Sequence, residues 1–343
     1  MTRRDLLDIA IEHDGLADLD AAERRLALRG VLADRVPEGQ LGDAVGRLSD
    51  EIDGYGPLTQ VMADPEVTDV LINAPNEVWI ERKGALCRTR LAFEDDAHLD
   101  SFTARLLLRS GGRADRSSPI CDARLPDGTR LHVVVPPISD RPTISLRRFP
   151  KTALTLSDLQ SLRMMTSAQL DTIQTAVADR RTICICGSTG SGKTTLLNAL
   201  LDLVPETQRV VVVEQARELR PACAHAVTLA ALQKNHEGRG GVDLDDLVRA
   251  ALRMRPDRLI VGEVRGPEAL PALNALSTGH PGSMLTVHSG SAREALDRIA
   301  ELAAFAARSP ATTFTRRVEG AFDLVIHLKR TAGLRSVAEI LEV

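Results

Sequence analysis

The chain has 343 residues, 43% of them hydrophobic, which is enough for two domains with full cores and an extension. Its formal net charge of −4 and its 2% of aromatic residues argue against a basic surface or base stacking, so nucleic acid is not an expected partner. The polar start, the absence of a run of roughly 18 apolar residues and the five scattered cysteines predict a cytoplasmic protein without a membrane span or a disulfide framework.

The first part of the chain is predicted to be a helical extension, residues 1–50, and a small α+β domain, residues 51–149. Apolar side chains recur at helical spacing up to Ile52, and a Gly-Tyr-Gly-Pro segment then breaks the pattern. Short apolar segments beyond it predict strands with a helix over residues 99–108. The predicted strands are residues 67–73, 77–82, 130–135 and 143–148. Residues 150–165 are predicted to be a linker.

Residues 166–343 alternate continuous apolar segments with amphipathic ones, which predicts an α/β domain with a largely parallel sheet buried on both faces. The predicted strands are residues 183–186, 209–214, 258–263 and 283–288, with a closing hairpin of 325–328 and 337–341. Cys184 and Cys186 lie on the first of these strands. No second Cys/His pair stands at zinc spacing, so both are predicted to be small buried hydrophobic residues.

A glycine-rich loop follows the first of these strands. Residues 187–194 match the pattern G-x-x-x-x-G-K-[ST] directly before an amphipathic helix. The glycines permit positive φ angles, so successive backbone N–H groups converge on an anion at the helix start. Lys193 supplies a charge for the β- and γ-phosphates, and the Thr194 hydroxyl is a predicted Mg²⁺ ligand. The predicted nucleotide-binding residues here are Gly187, Ser188, Thr189, Gly190, Ser191, Gly192, Lys193, Thr194 and Thr195.

Charged residues follow the other predicted strands. Glu263 ends an apolar strand with a carboxylate at its carboxyl edge, where it would hold Mg²⁺ directly or through water. Residues 214–218 end the preceding strand, and a carboxylate among them could orient or deprotonate an attacking water. His280 and His288 flank the next strand. Their spacing does not match a helical zinc pair, and a purely structural hydrogen bond is an equal alternative for each.

Four ordered motifs resemble those of the type II/type IV secretion ATPases. The segments similar to the Walker A motif, Asp box, Walker B motif and His box are, in that order, residues 187–195, 214–219, 252–265 and 278–289. Residues 64–75 and 125–131 are similar to the Tad-pilus (CpaF-type) branch of that family. The resemblance covers roughly residues 50–343.

The resemblance implies a PAS-like amino-terminal domain, a RecA-like P-loop domain, and a hexameric ring that binds ATP between the two domains. It implies that Glu218 is the catalytic glutamate and that Glu263 is the Walker B acid and metal ligand. His288 would be the His-box histidine, and Arg265, at the end of the Walker B segment, completes the catalytic set. First-domain arginines would reach the phosphates with an always-charged guanidinium, although a surface ion pair is the alternative for each. The best-matching ones are Arg113, Arg130 and Arg147.

The implied function is an ATP- and Mg²⁺-dependent motor for assembly of a Tad-type pilus or a related secretion machine. It would work at the inner face of the cytoplasmic membrane, with its own copies and inner-membrane platform proteins as partners. A conjugative DNA-transfer ATPase is one alternative, and a nucleotide-dependent scaffold with little turnover is another. Gln215 stands where the Asp box usually has aspartate, and Leu232 stands where an arginine is expected. Both departures bear on the turnover rate, and Gln215 keeps the scaffold alternative open.

Overall fold

The computed structural model describes residues 2–13, 15–16, 18–148, 154–232, 240–331 and 333–343. The chain divides into two compact units, Met1–Lys151 and Thr152–Val343. Within the described residues, no helix is both long and apolar enough to cross a bilayer.

The first unit opens with helices that share a small core of their own. They are α1 (Arg3–Ile11), α2 (Ala21–Ala33) and α3 (Glu38–Ile52). Thr2 and Asp20 begin the first two helices with capping boxes, which satisfy backbone N–H groups that the first turn leaves unpaired. Leu28 and Leu32 of α2 and Leu48 of α3 are buried together in this core. The helical start predicted from the periodicity is confirmed.

An antiparallel sheet packed on a helix completes the first unit. Its elements are α4 (Thr59–Ala63), β1 (Val67–Ala74), β2 (Glu77–Arg82), β3 (Ala85–Arg88), α5 (Asp96–Ser110), β4 (Ile120–Arg124), β5 (Arg130–Val134) and β6 (Thr143–Arg147). The strand order is β3-β2-β1-β6-β5-β4, and each neighbouring pair is antiparallel. Fully buried side chains such as Ile72 and Ile144 share a core with Phe102 of α5. The predicted α+β fold is confirmed, and β3 and β4 are additions to it.

The second unit alternates helices and strands. Its elements are α6 (Leu156–Ser161), α7 (Ser167–Ala178), β7 (Ile183–Gly187), α8 (Lys193–Leu201), β8 (Val210–Glu214), β9 (Ala226–Ala230), α9 (Leu244–Leu252), β10 (Arg258–Val264), α10 (Ala269–Ser277), β11 (Met284–Val287), α11 (Ala292–Ala307), α12 (Thr315–Glu319), β12 (Leu324–Thr331) and β13 (Leu334–Glu342). Helix α6 lies within the predicted linker, and its Leu156 and Leu159 are buried in the core of this unit. Residues 150–153 of that linker lie outside the described residues.

The sheet of the second unit has the order β13-β12-β7-β11-β10-β8-β9. Every neighbouring pair from β12 to β9 is parallel, and β13 pairs antiparallel with β12. Apolar clusters cover both faces, which confirms the predicted sandwich of helices around a parallel sheet. Cys184 and Cys186 on β7 are fully buried, as predicted, and burial raises the pKa of both thiols, that of Cys186 to about 11.

The parallel arrangement collects the ends of the central strands at one edge. Strands β8, β10, β11 and β7 are consecutive neighbours in the sheet, so their carboxyl ends meet there. Glu214 is the last residue of β8, Glu263 lies near the end of β10, His288 follows β11 and the glycine-rich loop follows β7. The fold therefore brings the glycine-rich loop, the acidic strand ends and His288 to the same edge. His280 precedes β11 and lies at the opposite edge, where its Nδ1 is 3.1 Å from the Ala275 carbonyl oxygen.

Candidate nucleotide site

The glycine-rich loop between β7 and α8 is shaped to approach an anion with its backbone. Gly187, Gly190 and Gly192 have φ angles of +147°, +73° and +100°. These values favour glycine, because a Cβ atom would be strained there. Helix α8 begins directly after Gly192, and no side chain caps its first turn. The first N–H groups of the helix are therefore left for a ligand.

The hydroxyl-bearing residues around this loop differ in exposure. Ser188 and Thr189 are exposed on the loop, Thr194 is half-buried, and Thr195 is exposed in the first turn of α8. Ser191 is fully buried, and its Oγ has no hydrogen-bond partner among the described residues. An unpaired buried hydroxyl costs about 1–3 kcal/mol, which a bound polyphosphate or its hydration shell would offset. The loop thus fits the nucleotide that the sequence predicts.

Lys193 is buried against the loop that precedes it. Its Nζ donates hydrogen bonds to the carbonyl oxygens of Gly187, at 3.0 Å, and Ser188, at 3.1 Å. Burial lowers the pKa of the amine, and the negative charge of Glu263 opposes that effect. An ammonium group held by backbone carbonyls is paired only weakly, so a phosphate can compete for it.

His288 connects Lys193 to Glu263. Its Nδ1 lies 3.2 Å from the Nζ of Lys193, and its Nε2 lies 2.7 Å from the Oε1 of Glu263. Because an ammonium group only donates and a carboxylate only accepts, this pairing assigns a neutral imidazole that accepts at Nδ1 and donates from Nε2–H. The structure thus brings together three predicted site residues from the loop, from β10 and from the end of β11.

Arg265 joins this group from the far side of Glu263. Its guanidinium forms an ion pair with the Oε2 of Glu263. Buried Glu268 accepts hydrogen bonds at its Oε1 from the backbone N–H groups of Arg265, at 2.6 Å, and Gly266, at 2.8 Å. Glu268 therefore fixes the turn that presents Arg265, a role that sequence reasoning missed.

The two acidic residues after β8 have different environments. Glu214 is buried, and its Oε1 accepts hydrogen bonds from the backbone N–H groups of Glu218, at 3.0 Å, and Leu219, at 2.9 Å. Glu218 itself is half-buried, and Gln215 between them is exposed. The carboxylate of Glu214 thus positions the segment that carries Glu218. Leu232, the other departure from the family pattern, is exposed and pairs with Val242 in an isolated bridge.

The three arginines that are predicted to reach the phosphates belong to the first unit, where they lie on or beside its sheet. Arg130 on β5 and Arg147 on β6 are directly opposite each other in the ladder. The side chain of Arg147 is 54% exposed and lies 4.0 Å from Asp69, which is a weak ion pair. Arg113 forms an ion pair with Asp115. Two of the three are therefore neighbours, and the role of all three in binding phosphate stays a prediction.

Comparison with known proteins decides the family. The sequence profile described as "Type II/IV secretion system protein" matches residues 51–336. The chain belongs to this family. A Mycobacterium tuberculosis protein named for conjugal transfer is 38% identical to this secretion-family chain over 301 residues, or 85% of each chain. The conjugal transfer protein TrbB of Rhizobium radiobacter is 34% identical over 292 residues, which cover 83% of this chain and 86% of TrbB.

Solved structures agree with this membership at the level of fold. The Legionella pneumophila ATPase DotB aligns with this secretion-family chain with a TM-score of 0.57 and 24% identity, over 81% of this chain and 77% of DotB. The predicted family is confirmed, and so is the predicted fold, a small α+β domain followed by a RecA-like α/β domain. The assignment to the Tad-pilus branch remains a prediction.

Proposed function

We propose that this protein is an Mg²⁺-dependent ATPase that works as a hexameric ring motor for assembly of a Tad-type pilus. The observation that carries the ATPase part is the hydrogen-bonded chain from Lys193 through His288 to Glu263 beside the glycine-rich loop. This network holds a cation that can bind the phosphates, Lys193, and a carboxylate that can bind Mg²⁺, Glu263. Phosphoryl transfer requires both groups.

Each site residue has a separate task in this proposal. The loop N–H groups and Lys193 bind the β- and γ-phosphates, while Thr194 and Glu263 hold Mg²⁺, which neutralises charge on those phosphates when bound. Glu218 accepts the proton of the attacking water. His288 orients Glu263 through its Nε2–H, and Arg265 pairs with the same carboxylate from the other side.

The arginines of the first unit couple nucleotide binding to movement in this proposal. Arg113, Arg130 and Arg147 lie outside the unit that carries the glycine-rich loop. They reach the phosphates only if the first unit of the same or a neighbouring subunit closes over them. A ring then converts each closure into displacement of the next subunit. The ring acts at the inner face of the cytoplasmic membrane, with inner-membrane platform proteins as partners.

A conjugative DNA-transfer ATPase is the second candidate. The observation in its favour is that relatives 38% and 34% identical to this chain carry conjugal transfer names. The two candidates share a fold and a reaction, so neither property separates them. Purification of the native ring from its membrane, with identification of the attached proteins, separates them. Pilus platform proteins support the first candidate, and DNA-processing proteins support the second.

Thermal unfolding and phosphate release test the ATPase itself. Saturating Mg-ATP at 100 times its Kd stabilises a binding protein by about 2.7 kcal/mol, so the wild-type Tm should rise by about 5–10 °C. Lys193→Ala should remove that shift and phosphate release together, whereas Lys329→Ala, an exposed lysine on β12, should keep both. If Mg-ATP raises the Tm of the wild type but no phosphate is released, the protein is the nucleotide-dependent scaffold with little turnover, the alternative suggested by Gln215. Wild-type turnover in Lys193→Ala would disprove the site.

A further inference from the structure

The carboxyl-terminal hairpin, β12 with β13, lies directly against the glycine-rich loop. Leu328 of β12 is the ladder partner of Gly187, and a Cβ atom at Gly187 would overlap the Leu328 carbonyl oxygen. A Cβ atom at Gly190 would lie 3.1 Å from the Nη1 of Arg330. The glycines thus allow the hairpin to approach closely, in addition to permitting positive φ.

Arg335 of β13 makes the most specific of these contacts. Its Nε donates a hydrogen bond to the carbonyl oxygen of Gly190 at 2.9 Å. Its Cδ lies 3.4 Å from where a Cβ atom of Gly192 would stand. The contact joins residues 145 positions apart, and Arg330 lies directly opposite Arg335 in the β12–β13 ladder. One side chain of the hairpin therefore bonds to the middle of the loop and occupies the space beside its last glycine.

The chemistry of this contact bears on the conformation of the glycine-rich loop. A hydrogen bond from a guanidinium to a carbonyl is charge-assisted and stronger than a neutral one. It polarises the peptide unit between Gly190 and Ser191, and so strengthens the hydrogen bond that the Ser191 N–H donates to the Ser188 carbonyl oxygen, at 3.2 Å, within the loop. It also restrains a loop whose glycines would otherwise have wide conformational freedom.

We propose that Arg335 is a positioning residue for the glycine-rich loop, which the carboxyl-terminal hairpin holds ready for phosphate. The part of this inference that concerns phosphate binding rests on the proposed nucleotide site. Arg335 acts through the Gly190 carbonyl, so its loss loosens the loop before any ligand is present. The substrate class that benefits is any polyphosphate bound by the loop backbone, ADP and pyrophosphate as well as ATP.

Hydrogen exchange on the full-length, nucleotide-free protein tests the positioning. In Arg335→Gln, amides of a peptide that covers the loop should exchange at least about tenfold faster than in the wild type. Arg335→Lys keeps the charge but lacks Nε, so it should restore the rate only in part. Lys329→Gln is the matched control, because Lys329 is an exposed residue of β12 next to Arg330 that points to the opposite face. Its loop should exchange as in the wild type.

Binding of Mg-ATP, Mg-ADP and inorganic pyrophosphate completes the test. Arg335→Gln should weaken all three by about tenfold, and Lys329→Gln should weaken none of them. If Arg335→Gln matches Lys329→Gln in exchange and in binding, the positioning role is wrong and the ATPase proposal stands. If the wild type binds none of the three ligands while Arg335→Gln still loosens the loop, the predicted nucleotide site is wrong. Arg335 then stabilises the loop for a reason other than nucleotide binding. Because Arg335 is exposed, its substitution leaves the core intact.

Discussion

The Nε2 of His288 lies 2.7 Å from the Oε1 of Glu263, in a pairing that joins the ends of two adjacent parallel strands. His288 is 45% exposed at its side chain, whereas Glu263 is only 18% exposed. A half-buried carboxylate with a fixed donor has little freedom to rotate. The histidine therefore sets the direction in which this acid faces the glycine-rich loop.

Replacing this histidine should affect turnover more than binding. His288→Ala removes the donor to Glu263 and the acceptor for Lys193 but leaves the loop backbone unchanged. Loss of a charged hydrogen bond costs about 1.5–3 kcal/mol, so kcat should fall about 10- to 100-fold while the Kd of Mg-ATP changes less than about threefold. Phosphate release and ligand titration measure the two separately. The control is His225→Gln, which removes a histidine that lies just before β9 and bonds to Arg209. If His288→Ala leaves kcat unchanged, the hydrogen-bonded network of Lys193, His288 and Glu263 has no role in hydrolysis.

The two acids after β8 should separate into a catalytic and a positioning residue. Glu218→Gln should keep ATP binding and lower hydrolysis by about 10²–10⁴-fold, as expected for a general base. Glu214→Gln should retain most activity, because its amide oxygen can still accept the hydrogen bonds from Glu218 and Leu219. Single-turnover phosphate release reports both variants. If Glu218→Gln hydrolyses normally and Glu214→Gln does not, the roles are reversed.

Activity should depend on assembly. ATPase activity per subunit should rise with protein concentration, and sedimentation with Mg-ATP over the same dilution series should show a closed ring, most consistent with a hexamer. Arg147→Ala should lower turnover at least about tenfold with little change in nucleotide affinity, since a charge supplied to the transferred phosphate acts on the transition state.

Arg141→Ala is the matched control for that arginine. Arg141 is also a surface residue of the first unit, where it pairs with Asp96 at 3.1 Å. Its loss should leave turnover and assembly unchanged. A strict monomer with full, concentration-independent activity would rule out the ring mechanism and leave a P-loop ATPase alone.

Gly282 should matter for stability because of a buried arginine. Arg258 is fully buried and donates hydrogen bonds to Gln208, at 2.7 Å, and to the Val177 carbonyl, at 3.0 Å. Burial, with a smaller effect of nearby Arg180, lowers the pKa of Arg258 to about 10. A Cβ atom at Gly282 would lie 2.9 Å from the guanidinium carbon.

Gly282→Ala should therefore lower the free energy of unfolding by about 2–4 kcal/mol, through backbone strain and displacement of Arg258. Gly279→Ala isolates the backbone contribution, because Gly279 also has a positive φ, +116°, but nothing within 4 Å of its Cβ position. That control should cost only about 1–2 kcal/mol. Urea unfolding measures both variants. If they lose equal free energy of unfolding, the guanidinium of Arg258 accommodates the added methyl group without cost.

Local sequence determined the parts of this protein whose chemistry depends on neighbouring residues. Gly187, Gly190 and Lys193 lie within seven positions, so a loop of this pattern before a helix start predicts an anion site from local sequence alone. Continuous apolar segments likewise predicted the central strands, because a strand buried on both faces has no place for polar side chains. The edge strands were harder. Strands β3 and β9 are only four and five residues long, too short for periodicity alone to distinguish a strand from a loop or a helical turn.

Only the tertiary structure decided which charged groups meet. Spacing along the chain placed Glu214 and Glu218 in the same motif, but the fold buries the first against backbone N–H groups and leaves the second half-exposed. It also sets Arg335 on the carbonyl of Gly190, across 145 positions of sequence. Such partners arise where sheet order brings distant strands together, and no residue pattern encodes them locally. A hydrogen bond depends on separations of about 3 Å in space, and for residues far apart in the chain the number of residues between them does not determine that distance.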